Sequence, residues 1–199
     1  MKSNSRSKTM LVFLLCFSLL ATGCSAEWIK VALADLPVLL QMALNIGTIV
    51  TTLQSGQQLS SSEAAEIQNI SNEASRDLNL LQTLYNEYES SPSPSTIQKI
   101  QNAIADINQN LPALLQAAHV SDPVLSTRIA AAVNLILSTV NSFAALIPNS
   151  GASMMAQKVS PGARAVPHAS ELKKQWNQQV CGPTGKVSLD SALHLYEMK

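Results

Sequence analysis

Residues 97–118 read IQKIQNAIADINQNLPALLQAA. Ile97, Ile100, Ile104, Ile107, Leu111, Leu114 and Ala118 recur at spacings of 3, 4, 3, 4, 3 and 4. That is the heptad seam of a helix that buries one side against other helices. Pro112 lies inside it. Its missing N–H leaves the carbonyl of Asn108 without an intrahelical donor. The seam continues past the proline in register, so a kink is expected rather than a break.

Before the seam, the run Ser90-Ser91-Pro92-Ser93-Pro94-Ser95 breaks any helix. Ser95 with Gln98 reads as a capping box opening the seam helix. Upstream, Ser60 with Glu63 is another capping box. It opens a segment to about Ser90, with Ile67, Ile70, Ala74, Leu78, Leu81, Tyr85 and Tyr88 on one stripe. Earlier still, Pro37 interrupts an apolar stretch ending near Gln54, and Gly56 provides the stop. Asp35 is the expected cap there, with Pro37 in the first turn and a short tether helix carrying Trp28 before it. Gln41, Asn45, Thr48 and Thr52 form a narrow polar stripe on that helix.

After the seam, Asp122-Pro123 is a cap and first-turn proline. The segment they open runs to about Ile147, and Pro148 and Gly151 end it. Leu125, Ile129, Ala132, Ile136, Val140, Phe143 and Ile147 line one face, and no charge falls between Ile129 and Ile147. Asn134 and Asn141 share one side of it; they set register or mark the wet face. Four helices of about 25 residues, each roughly 40 Å long, with short connections, favour antiparallel neighbours. The expected fold is all-α: an up-and-down four-helix bundle with a partly ordered C-terminal tail. Segments one and four are the most apolar. They are expected to form the most buried pair or to pack on a further partner.

The expected organisation is a signal over 1–23, an anchor and tether over 24–34, the bundle over 35–148 and a basic tail over 149–199. The tail holds Gly151, Pro161, Gly162 and Pro167. Ser170 is expected to cap a short helix through Val180, with Leu172, Trp176 and Val180 at four-residue spacing. Gly182-Pro183-Thr184-Gly185 is a turn. The last stretch, 188–198, reads as a helix or as short strands. Residues 24–148 carry 4 basic and 10 acidic groups, and residues 149–199 carry 6 and 3. The tail is expected to fold back on the acidic face of segment two; a membrane or polyanion is the other reading.

Composition narrows the function. Of 199 residues, 13% are charged and the formal net charge is zero, which argues against nucleic acid as a partner. Aromatics at 4% are too few for a stacking platform. Lys2, Arg6 and Lys8 precede the apolar run Met10–Leu20. That run is too short for a membrane span and right for a signal peptide. Leu20-Ala21-Thr22-Gly23-Cys24 resembles the lipobox of bacterial lipoproteins. There, small residues precede a cysteine that becomes the acylated N-terminus. The resemblance covers residues 1–24 only, and Ala21 stands where leucine is usual. It implies lipidation of Cys24 and attachment to a membrane. Ser25 lacks the aspartate that retains enteric lipoproteins at the inner membrane. That favours the outer membrane, facing the periplasm; plain secretion is the alternative.

Chemistry-bearing patterns are few. His119, His168 and His194 fall at no metal-ligand spacing with one another or with cysteine. Neither a P-loop, a nucleophile elbow nor a dinucleotide glycine pattern is present. The helices lack the Glu-x-x-His pairs of a di-iron bundle. Asp190, His194 and Glu197 share a face if the last segment is helical, and a solvated surface is the preferred reading. His119 with Asp122 reads as a turn histidine and an N-cap, and Tyr85 and Tyr88 as core-edge packing. Cys181 has no neighbouring His or basic cluster and reads as an inert thiol. Hence no catalytic residue, metal or cofactor is assigned. The expected protein is a lipid-anchored, non-enzymatic helical module that binds envelope proteins or supports the envelope. The alternatives are a ligand-binding or sensor bundle and a membrane-active hairpin of segments one and four.

Overall fold

The computed structural model describes residues 27–147 and 167–199. Among them lie six helices and no strand: α1 Glu27–Ser55, α2 Ser61–Ser90, α3 Pro94–Ala117, α4 Pro123–Ala144, α5 Ala169–Gln179 and α6 Val187–His194. The first four make the up-and-down bundle. Neighbours in sequence pack side by side, and α4 returns to α1 to close the ring. The seam residues of α3 from Ile97 to Leu111 are buried, as is the whole stripe of α2 and that of α4 from Leu125 to Phe143; Ile147 is buried too, in the turn beyond the end of α4 at Ala144. Leu114 and Ala118, beyond Pro112, are only partly buried. The helix nevertheless continues across that proline.

Helix α1 corrects the expected boundary. It runs unbroken through Pro37, and Asp35 sits inside it rather than capping it. A helix-interior proline costs about 3 kcal/mol or more. The turns before it bury Trp28, Ile29, Ala32 and Leu36. Each large apolar side chain so buried contributes about 1.5–3 kcal/mol, so the first turns stay helical. Residues from Glu27 onward therefore belong to the bundle, not to a tether.

Two further caps differ from expectation. Helix α3 starts at Pro94 with Ser93 as its N-cap, whose hydroxyl accepts the Thr96 N–H at 3.1 Å. Ser95 falls inside the helix, because proline suits the first position and lets the helix begin earlier. Likewise α5 starts at Ala169, with Ser170 inside it and His168 at the cap position making no side-chain bond. The expected caps at Ser60, closed reciprocally with Glu63, and at Asp122 are present.

The principal partner of α1 is α2, not α4. Small residues let these two helices approach closely. The buried Ser71 hydroxyl donates to the carbonyl of Ala43 at 2.7 Å, and a Cβ at Gly47 would lie 2.7 Å from that hydroxyl oxygen. Asn134 and Asn141 mark the wet side of α4. Asn141 also exchanges two amide hydrogen bonds, of 2.8 and 3.0 Å, with Asn108 on α3. That pair pins α4 to the stretch just before Pro112.

The C-terminal stretch is a strap of two helices, α5 and α6, followed by a turn and a short irregular run. Residues 188–194 are helical, which settles the choice between helix and strands. The strap packs on α1 and α4 rather than on the acidic face of α2. Leu172, Trp176, Val180, Leu189 and Leu193 are buried there, and such side chains need an apolar groove rather than a charged face. Two of the α2 carboxylates are engaged elsewhere. Glu66 accepts the His119 N–H and Glu63 the Ser121 N–H, both at 2.7 Å, fastening the turn between α3 and α4.

Candidate functional site

Cys24, the residue that carries the lipidation expectation, lies outside the described residues, as do Pro148, Gly151, Pro161 and Gly162. The first described helix begins at Glu27, three residues after it in sequence.

The remaining polar features converge on the strap. Arg128 is the lone charge inside α4, and its guanidinium donates to three carbonyls: Gln179 at 2.5 Å, and Gly182 and Pro183 at 3.0 Å each. It thereby satisfies the C-terminal end of α5 and the turn that follows, where helix carbonyls lack donors. Lys186 reaches Asp122 at 2.6 Å, so the residue that caps α4 also holds the strap. Lys186 and the Val124 and Leu125 N–H groups keep the Asp122 carboxyl below the usual range. Opposite them, the Trp176 indole donates to the Tyr196 carbonyl at 3.0 Å, and the Tyr196 hydroxyl shares a 2.6 Å hydrogen bond with Thr52 on α1.

At the start of α5, burial pushes the Asp35 carboxyl up, while the Ala169 N–H and the charge of His168 pull it down. A carboxylate from α1 thus stands where α5 lacks a cap of its own. One of its oxygens has no partner. Asp35 in α1 and Arg128 in α4, two charges set within apolar stretches, both lie against the strap. That was the signal available in the sequence, and only the docked strap gives it meaning.

Clefts flank the strap. One, of about 640 Å³, lies between α5 and α6 and is lined by Asn177, Cys181, Pro183, Asp190, His194 and Glu197 among others. His194 Nδ1 and Glu197 Oε1 are 2.8 Å apart, whereas Asp190 accepts from the Thr184 N–H and hydroxyl. The expected shared face of Asp190, His194 and Glu197 therefore divides into two local pairs. Among the described residues no group of three His, Cys, Asp or Glu side chains is placed to hold a metal ion. Cys181 is buried and free, and burial pushes its thiol up to about 11. Such a thiol carries almost no thiolate near neutrality, so it is a poor nucleophile. The second cleft, of about 410 Å³, runs between α1 and the last five residues, with Val38, Gln41 and Asn45 on one wall and Leu195, Met198, Lys173 and Lys199 on the other.

Tyr85 and Tyr88 sit in the core at the N-terminal end of α1. Trp28 meets Tyr85 edge to face at 5.7 Å and Tyr88 at 5.9 Å, and Tyr85 meets Phe143 at 6.4 Å. His119 is exposed at its turn, and Asp122 serves α4 and Lys186. No protein-family model, no curated protein and no solved structure matches this chain.

Proposed function

We propose that the chain is a cell-envelope protein anchored to a membrane through lipidated Cys24, and that its bundle and strap act as a non-enzymatic interaction or structural module. The observation that carries the reading is the sequence Leu20-Ala21-Thr22-Gly23-Cys24 behind a basic and apolar signal. Helix α1 begins three residues later, so the bundle would stand directly on its anchor. Several acyl chains on one cysteine hold a protein firmly on a bilayer. The surface offered to partners is the outside of a closed helical ring and its strap. The outer membrane, facing the periplasm, is the proposed address.

Acyl-chain labelling with membrane fractionation tests this. The native chain is expected to take up label and to sediment with membranes, and Cys24→Ala to do neither. An unlabelled, freely soluble native protein would overturn the reading in favour of secretion.

The second reading is a ligand-binding bundle, favoured by the cleft of about 640 Å³ between α5 and α6, a size that admits a small molecule. Native mass spectrometry of protein purified from its host decides this: a retained small molecule supports it, and a bare chain counts against it. The membrane-active hairpin draws on the length and hydropathy of α1 and α4. The larger part of the most apolar window of α1 is packed inside the bundle, which speaks for a core helix.

A further inference from the structure

The outward ridge of α1 is set by helical spacing. Lys30, Pro37 and Leu44 are exposed at successive intervals of seven, with Gln41 between the last two. Residues so spaced stack along one side of a helix. The same Pro37 and Gln41 form one wall of the cleft whose other wall holds Lys173, Leu195, Met198 and Lys199. An adjoining cleft shares Lys173, Met198 and Lys199 and adds Lys174 and Ser170. One side of the molecule therefore joins an α1 ridge to the end of the strap.

This side has an uncommon make-up. Leu195 is 71% exposed and Leu44 53%, two of only four large apolar side chains so exposed among the described residues. Lys173, Lys174 and Lys199 line the clefts beside Leu195, and Lys30 stands farther along the α1 ridge. Two carboxylates lie nearby, Glu171 at 4.0 Å from Lys174 and Glu197, which lines the same cleft 2.8 Å from His194, so the lysines outnumber them. Exposed apolar side chains beside an excess of lysines match a bilayer interface, where leucine enters the headgroup boundary and lysines meet anionic lipid.

We propose that this side, built from the α1 ridge and the C-terminal run, docks flat on an anionic lipid surface. The inference deepens the anchored reading and rests on it for a bilayer close at hand. A tether of three residues keeps the patch near that surface at high effective concentration. Tethered this way, the bundle lies along the membrane rather than standing out from it.

The test uses the mature chain from residue 24 carrying Cys24→Ser, which has neither signal nor acyl group. It is sedimented with vesicles of phosphatidylcholine, with and without phosphatidylglycerol. Retention on the anionic vesicles is expected, weakened by salt. Each lysine at such a surface contributes about fivefold, so the Lys173→Ala, Lys174→Ala pair should lower the vesicle affinity about twenty-five-fold. Leu195→Ser should lower it about fivefold. Lys174 and Leu195 are exposed, whereas Lys173 is half-buried and donates to the Lys199 carbonyl at 2.7 Å, so circular dichroism checks that the helices persist. No retention, equal retention on both vesicle types, or retention indifferent to the substitutions overturns the proposal. Acyl labelling at Cys24 is measured separately. A chain that is labelled yet ignores vesicles overturns this surface and leaves the anchor standing.

Discussion

The four-helix ring and the strap are held by different means. The ring rests on long apolar seams that repeat every three or four residues, and most of its polar groups face water. The strap has two short helices with few apolar anchors, chief among them Leu172, Trp176 and Leu193. Its registration on the ring comes from charges and carbonyls: Arg128, the Lys186–Asp122 pair and the carboxyl of Asp35. Seams are redundant, because losing one residue leaves six more. Point contacts are not, so the strap should fail first and by single substitutions.

The sharpest way to break this contrast is Trp176→Ala. It removes a fully buried indole and its bond to the Tyr196 carbonyl, and about 3–5 kcal/mol should be lost. Denaturant unfolding should then split into an early strap transition and a later ring transition. Cys181, whose thiol is shielded in the native chain, should become reactive to a thiol reagent in the first of them. A single cooperative transition at lower denaturant would mean that ring and strap are one unit.

Arg128→Ala comes next. Three carbonyls lose their donor, and the expected cost is about 1.5–3 kcal/mol. Hydrogen exchange should accelerate in α5 and α6 and stay unchanged in α2 and α3. Equal acceleration everywhere would contradict the division.

In the ring, Glu63→Gln weakens both the cap of α2 and the turn before α4. The Ser60 hydroxyl, then the Ser121 N–H, hold the Glu63 carboxyl at about 2, against an ordinary 4.5. Its folded value is depressed, so its contribution is present above about 4.5 and lost as pH falls towards 2. Water reaches this carboxylate, which limits the effect to about 0.5–1 kcal/mol near neutrality. The difference in urea midpoint between native and Glu63→Gln chains should therefore shrink on acidification.

Asp77→Asn should give the smallest change, and with the opposite sign. Burial first, then the Glu73 charge, push the Asp77 carboxyl up, against the pull of Arg76. Its folded value is raised, so its contribution is favourable in acid and is lost as pH rises through that value. The variant should match or exceed the native urea midpoint at neutral pH and lose that advantage in acid.

Much of the ring was legible because a seam is a local property. Ile97 through Leu111, the α2 stripe and the α4 face follow from spacing alone, as do the caps at Ser60 and Asp122. The start of α1 was not legible. Pro37 and Asp35 make a sound local cap signal, and only the burial of Trp28, Ile29 and Ala32 against other helices overrides it. The surroundings of the α5 start were illegible for a related reason, since the carboxyl beside it, Asp35, comes from α1. Charge asymmetry directed the tail towards α2, but apolar burial outweighed the attraction of scattered, solvated charges.

The sequence by itself determined an all-α chain, its four long helices and their antiparallel order, because periodicity and capping are written in neighbouring residues. Only the tertiary structure decided that α1 pairs with α2, that the strap lies on α1 and α4, and that Asp35 and Arg128 are its fastenings. Those outcomes depend on which surfaces fit at close range, and residues far apart in sequence carry no mark of that fit until they meet.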